Sequence, residues 1–131
     1  MKSTFLLFIS IVAIGFAVQA NAAGTNPTKD VVIAVNDVFV PGGFDSKADS
    51  YVVVSGIFPN GCYKWKQANV RHVTRFEHEI TSVAVVSQGM CIMVLIPFSK
   101  DVHLGQLESG THTLRFLSSD GTFLEKTLQI Q

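Results

Sequence analysis

Apolar residues in this chain fall into short, β-branched stretches separated by turn-forming residues. Such stretches are typical of strands, because β-branched side chains suit a pleated surface. No segment shows a sustained helical period with caps, although one short helical turn is predicted near residues 102–107. The predicted strands are residues 31–40 (one strand or two), 50–58, 62–65, 70–76, 80–86, 90–98, 111–117 and 122–130. About seven strands at this spacing predict an all-β, antiparallel two-sheet sandwich.

The start of the chain has the composition of an export signal. Lys2 supplies a positive charge, residues 5–18 are an apolar run, and Ala20-Asn21-Ala22 places small residues where signal peptidase reads them. Residues 1–22 are therefore predicted to be a cleaved signal peptide, 23–29 a flexible arm and 30–131 the sandwich domain. An uncleaved membrane anchor is the alternative. No cysteine lies near the cleavage site, so we expect no lipid anchor and a soluble protein, periplasmic or extracellular.

Cys62 and Cys91 are the only cysteines, and in an exported chain we expect them to form one disulfide. Closing a loop of about 30 residues stabilises a fold by roughly 3.5 kcal/mol in the chain-entropy model. Two free thiols are the alternative. Neither a zinc ligand set nor a CxxC redox pair is present, so we expect no cofactor. Without Lys2, nine Lys and Arg face ten Asp and Glu, a balance that indicates neither nucleic-acid nor membrane binding.

Two segments carry a resemblance to a known class of domain. They are residues 56–63 (GIFPNGCY) and 102–114 (VHLGQLESGTHTL), with Cys91 between them. Over residues 51–131 the chain resembles small exported bacterial proteins of the immunoglobulin-like β-sandwich type, most of them uncharacterised. The resemblance implies an immunoglobulin-like fold. In such domains a tyrosine often ties the corner before a late strand to the backbone. His112 stands at that place here, and its imidazole can still donate to a carbonyl.

Two predicted strands are apolar on both faces, although a sandwich buries only one. They contain Val52-Val53-Val54 and residues 90–96. Either loops and strand crossovers cover the outer faces, or a protein partner or second subunit packs over them. If the partner is a protein, these two stretches are the predicted contacts.

One local charge bias lies in residues 64–75, which contain cations and no acid. Cations interleaved with aromatic side chains are suited to an anionic glycan. The structural alternative is that lysines protect an edge strand from pairing, while the tryptophan points into the core. The candidate ligand-binding residues are Lys64, Trp65, Lys66, Arg71, His72 and Arg75.

The remaining chemistry-bearing residues form no recognisable catalytic pattern. On one continuous strand His72 and His78 would lie about 20 Å apart, and only a turn would bring them together. Glu77 and Glu79 flank His78, which favours a solvated charged turn over a metal site. The serines form no nucleophile elbow, so no catalytic residue is assigned.

The sequence therefore predicts a non-catalytic exported binding or structural module of the cell envelope or extracellular space. We expect no nucleic-acid partner and no stable membrane anchor. The alternative is an inhibitor of, or an accessory domain to, an exported hydrolase, with residues 58–61 beside the disulfide as the candidate contact. An enzyme ranks third.

Overall fold

The computed structural model describes residues 27–131, so the predicted signal peptide and most of the arm lie outside the described residues. This part of the chain contains no helix long and apolar enough to cross a membrane. Its eight strands are β1 (Thr28–Ile33), β2 (Asp37–Phe39), β3 (Ser50–Phe58), β4 (Tyr63–His72), β5 (Glu77–Ser87), β6 (Ile96–Gly105), β7 (Gly110–Leu117) and β8 (Phe123–Ile130).

The strands form two sheets, and β5 is the centre of the larger one. β4 pairs along one edge of β5, while β1 and β7 share the other edge, and β8 pairs with β7. The smaller sheet has the order β2-β3-β6. All pairs are antiparallel except β5 with β7, which is parallel. The expectation of a wholly antiparallel sandwich is wrong at this pair, because the chain returns through β6 in the other sheet before β7 begins.

A shared core holds the two sheets together. Val52 and Val54 of β3 are buried, and the alternating residues Tyr51 and Val53 are half-buried on the other face. Each large apolar side chain buried in this way contributes about 1.5–3 kcal/mol relative to an exposed one. The main cluster consists of Val38, Val52, Val54, Ile80, Val102, Leu104, Leu107, Leu114, Phe116, Leu128 and Ile130.

Several strand boundaries agree with the sequence prediction, and others need correction. β3 covers residues 50–58 as predicted, and residues 31–40 contain two strands rather than one. β1 begins at Thr28, so residues 28 and 29 belong to the sandwich and not to the arm. The Asp-Gly turn between β7 and β8 is also confirmed, with Gly121 at a φ of 85°.

Two predicted strands are wrong. β4 continues to His72, and residues 73–76 form the turn to β5, in which the Val73 and Thr74 N–H groups donate to the Glu77 carbonyl. Residues 88–95 form a loop, because the chain must pass there from the end of β5 in one sheet to β6 in the other. The predicted helical turn near residues 102–107 is absent, since β6 runs to Gly105.

The predicted Cys62–Cys91 disulfide is confirmed, with a Cα–Cα distance of 5.3 Å. It connects the residue before β4 to the loop before β6, and so joins the two sheets where β5 finishes. We call this end of the sandwich the disulfide end. The opposite end, where β5 begins, is the histidine end.

Candidate functional site

Residues 88–95, here called the apolar loop, connect β5 to β6 at the disulfide end. Ile92 is 71% exposed, Met93 80% and Leu95 70%, and Met90 and Val94 are exposed as well. The loop contains no charged residue. Single exposed apolar residues are ordinary, but a contiguous group of this kind marks an interaction site.

The apolar loop is attached to its surroundings at several points. The disulfide fixes it at Cys91, and the Gly61 N–H donates to the Ile92 carbonyl at 2.8 Å. At its start, the Gln88 N–H donates to the Pro27 carbonyl at 3.0 Å. These attachments hold the backbone in place, so that less conformational entropy is lost when the loop binds a partner.

The turn between β3 and β4 packs beside the apolar loop. Phe58 is buried and its ring lies 4.5 Å from that of Phe98, measured between centroids. The Asn60 side-chain oxygen accepts from the Cys62 N–H at 2.9 Å. Residues 58–61, the candidate inhibitory segment, are therefore largely packed, and the element that projects beside them is the apolar loop.

An open groove of about 600 Å³ lies between β1 and the end of β3. Pro59 and Tyr63, on either side of the turn that precedes β4, line it at the disulfide end. Val31, Ile33 and Ile57 add apolar wall. No residue of the apolar loop lines this groove, so the two are separate surface features of the described residues.

At the histidine end, three imidazoles form a hydrogen-bonded row, here called the histidine chain. The turn at residues 73–76 places His72 directly opposite His78, with their Nδ1 atoms 2.6 Å apart. Nε2 of His78 lies 2.8 Å from Nδ1 of His112 on β7. Nε2 of His112 lies 2.6 Å from the carbonyl oxygen of Glu108. In this last contact the imidazole of His112 donates to a carbonyl.

The carbonyl of Glu108 sets the direction of every hydrogen bond in the chain. A carbonyl only accepts, so Nε2 of His112 carries a proton, and in the neutral imidazole its Nδ1 then accepts from Nε2–H of His78. Nδ1 of His78 then accepts from Nδ1–H of His72. Burial, followed by the neighbouring His72 and His112, lowers the pKa of His78 to about 4. The chain in this form requires His78 to be neutral.

The expectation of a solvated charged turn around His78 is wrong for the histidine itself. Alternation along β5 buries His78, at 2% exposure, and turns Glu77 and Glu79 to the outer face. There Glu79 pairs with Arg71 and Glu77 lies 3.9 Å from Arg115. The two carboxylates therefore belong to a surface charge network and not to the histidine chain.

A shallow pocket of about 190 Å³ opens beside His72. Arg75 and Glu108 line it and form an ion pair at 3.3 Å. All four ring nitrogens of His78 and His112 are engaged within the histidine chain. Within residues 27–131, no group of three or more His, Cys, Asp or Glu is arranged to hold a metal ion. The hydrogen bonds of the histidine chain therefore join β4, β5 and β7 to the Glu108 carbonyl.

The cations predicted to bind an anionic ligand lie on β4 and the turn after it, and most of them have carboxylate partners. Exposed pairs of this kind stabilise the fold by only about 0–1 kcal/mol, but a cation that is paired with a carboxylate is less free to bind an anionic ligand. Lys64 has no such partner among the described residues, and His72 belongs to the histidine chain. The ion pairs are Lys66–Asp30, Arg71–Glu79 and Arg75–Glu108.

Trp65 is half-buried and faces the core, with its ring 5.7 Å from that of Phe98. The structure thus agrees with the core interpretation of this residue. Arg71 contributes to a row of alternating charges on the outer face of the larger sheet, through strand pairings that join Arg71, Glu79, Arg115 and Glu125.

The sequence did not predict the exposed apolar loop at the disulfide end or the histidine chain at the histidine end. It identified residues 90–96 as apolar and as a protein contact, but as a strand face and not as an exposed loop. Ser87-Gln88-Gly89 correctly ended the predicted strand at residues 80–86, but no local signal showed that the apolar run after it is a loop. It also named His72 and His78. Residues 73–76 contain no Gly, Pro or Asn, so the local sequence does not indicate the turn between the two histidines.

These features define a small all-β sandwich domain with one disulfide. A family model described as the ORF11 beta-sandwich domain matches residues 52–130, which is more than half of the chain. The protein belongs to this family. The matched region runs from β3 to β8 and includes both the apolar loop and the histidine chain. No curated protein and no solved structure gives a significant match.

Proposed function

We propose that this chain is a non-catalytic binding module that acts outside the cytoplasm and contacts its partner through the apolar loop. The observation that carries the proposal is the exposure of five apolar side chains on one uncharged, disulfide-held loop. Exposing them to water is unfavourable for a free domain, and covering them in a complex recovers that free energy.

Export to the periplasm or the extracellular space is part of this proposal. Its support is the signal-like composition of residues 1–22, which lie outside the described residues, and the disulfide, which persists in oxidising compartments. An immunoglobulin-like assignment of the sandwich is also proposed. Its support is the bond from His112 to the carbonyl four residues upstream, where a corner tyrosine would act.

The alternative function is that of an inhibitor of, or an accessory domain to, an exported hydrolase. The packed turn at residues 58–61 does not favour it, but the apolar loop offers a second route. A loop preorganised by a disulfide and a backbone hydrogen bond is suited to occupying another protein's cleft. The same surface therefore serves both candidate functions.

A pair of matched variants tests the proposed contact surface. Met93→Ser/Leu95→Ser removes two exposed apolar side chains from the loop, and Phe39→Ser/Phe123→Ser removes two from strands β2 and β8. We expect the first variant to lose about tenfold or more of its retention in the envelope or partner-bound fraction. The second should behave as wild type. Equal retention of both variants, with unchanged thermal unfolding, would overturn the proposal.

A further inference from the structure

We propose that the apolar loop inserts into the interfacial layer of a lipid membrane that carries anionic headgroups. This inference rests on the proposed function, because it names the partner of the same surface. The first support is composition: no charged residue occurs from Ile80 to Ser99, so the tip of the loop and both of its stems lack the groups that are most costly to place near acyl chains.

The second support is the place where the chain enters the domain. Pro27 accepts a hydrogen bond from Gln88, the first residue of the apolar loop. The apolar run of residues 5–18 ends only nine residues before Pro27, a span of at most about 30 Å. Under the proposed export, in which residues 5–18 act as the signal, the disulfide end is therefore the end of the domain nearest to the lipid surface.

The third support is charge at the base of the loop. Lys29 lies opposite Val86 and Lys64 lies opposite Val85, both within the last three residues of β5. Both lysines are exposed, and neither forms an ion pair with a carboxylate within residues 27–131. An apolar tip with cations behind it complements acyl chains beneath anionic headgroups. Such a contact is reversible, unlike a spanning segment.

Vesicle flotation tests the proposal directly. The exported protein, purified without detergent, is mixed with vesicles of phosphatidylcholine alone or of two parts phosphatidylcholine to one part phosphatidylglycerol. We expect flotation with the anionic vesicles that weakens as salt is raised. Met93→Ser/Leu95→Ser should lose about tenfold or more of the binding, and Lys29→Gln/Lys64→Gln should lose several-fold. Phe39→Ser/Phe123→Ser should bind as wild type.

Three results would overturn the lipid assignment: no flotation, flotation that Met93→Ser/Leu95→Ser leaves unchanged, or flotation that Phe39→Ser/Phe123→Ser reduces equally. Light scattering on the same proteins without vesicles distinguishes the other partners that could cover the loop. A dimer that Met93→Ser/Leu95→Ser dissociates, without flotation, would assign the loop to a second copy. A protein complex that depends on Met93 and Leu95, again without flotation, would leave the proposed function standing and the lipid inference refuted.

Discussion

At the scale of single residues, His78 is a buried titratable group in the middle of the histidine chain. It accepts a hydrogen bond from one imidazole and donates one to another. A protonated His78 has no lone pair on Nδ1, so the bond from His72 would be lost. Burial disfavours the charged form first, followed by the neighbouring His72 and His112, and together they lower the pKa of His78 to about 4.

The stability of the fold should fall as the pH decreases from neutral towards the pKa of His78. In the unfolded chain the pKa of this histidine has its ordinary value of 6.5, whereas in the fold the pKa of His78 is about 4. Between these values the unfolded state binds more protons, so the free energy of unfolding drops with falling pH by about 3 kcal/mol from this group. Urea unfolding at a series of pH values measures the loss.

His78→Gln should flatten this pH dependence, because glutamine does not titrate. His103→Gln is the matched control, since His103 is exposed beside Asp49 and outside the histidine chain. It should keep the wild-type slope. The explanation fails if wild type and His78→Gln lose the same free energy between neutral pH and pH 4, whatever the absolute stability of the variant.

The sequence predicted the roles of single residues only in part. It placed His112 where a corner tyrosine would stand and noted that an imidazole can still donate to a carbonyl, and in the structure His112 contacts the carbonyl of Glu108. It did not expect His78 to be buried. That burial depends on the short turn at residues 73–76, which Phe76 secures through a bond from the Thr113 N–H on β7. A turn fixed by a tertiary contact leaves little trace in the local sequence.

At the scale of the elements, β3 was predictable because its pattern and its boundaries agree. Apolar residues alternate in burial along it, and the Pro59-Asn60-Gly61 turn ends it. The apolar loop was not predictable in this way. Its composition is that of a buried strand, and only the distance that the chain must cross between two sheets makes it a loop. Apolar runs without alternation are ambiguous for this reason.

Close approach of β3 and β6 gives an element-scale prediction. A Cβ added at Gly56 would lie 2.6 Å from the Phe98 ring. This ring belongs to a second, smaller core cluster that also contains Phe58. Gly56→Ala should therefore destabilise the fold by about 1–3 kcal/mol, because the ring has to move within a packed core. Chemical denaturation measures the change.

Gly42→Ala is the control for this prediction. A Cβ there meets nothing within 4 Å, and the residue is not in the left-handed region. We expect it to change the free energy of unfolding by no more than about 0.5 kcal/mol. If Gly56→Ala proves as stable as Gly42→Ala, the packing of Phe98 against the β3 backbone is described incorrectly.

At the scale of the whole molecule, the two ends of the sandwich have different characters. At the histidine end, His78 and His112 are buried, and the histidine chain joins β4, β5 and the corner before β7. The disulfide end turns apolar groups outward on a loop that the disulfide holds. This polarity is the basis for assigning contact with a partner to the disulfide end.

Site-specific crosslinking tests that assignment most directly. A photoreactive amino acid is placed at Met93 in the apolar loop, or at exposed Thr127 on β8, in the protein produced in its own organism. Irradiation should give a discrete adduct from position 93 and none from position 127. A lipid adduct would agree with membrane docking, and a hydrolase adduct with the inhibitor alternative. Absence of any adduct at position 93, or equal adducts at both positions, would contradict the account.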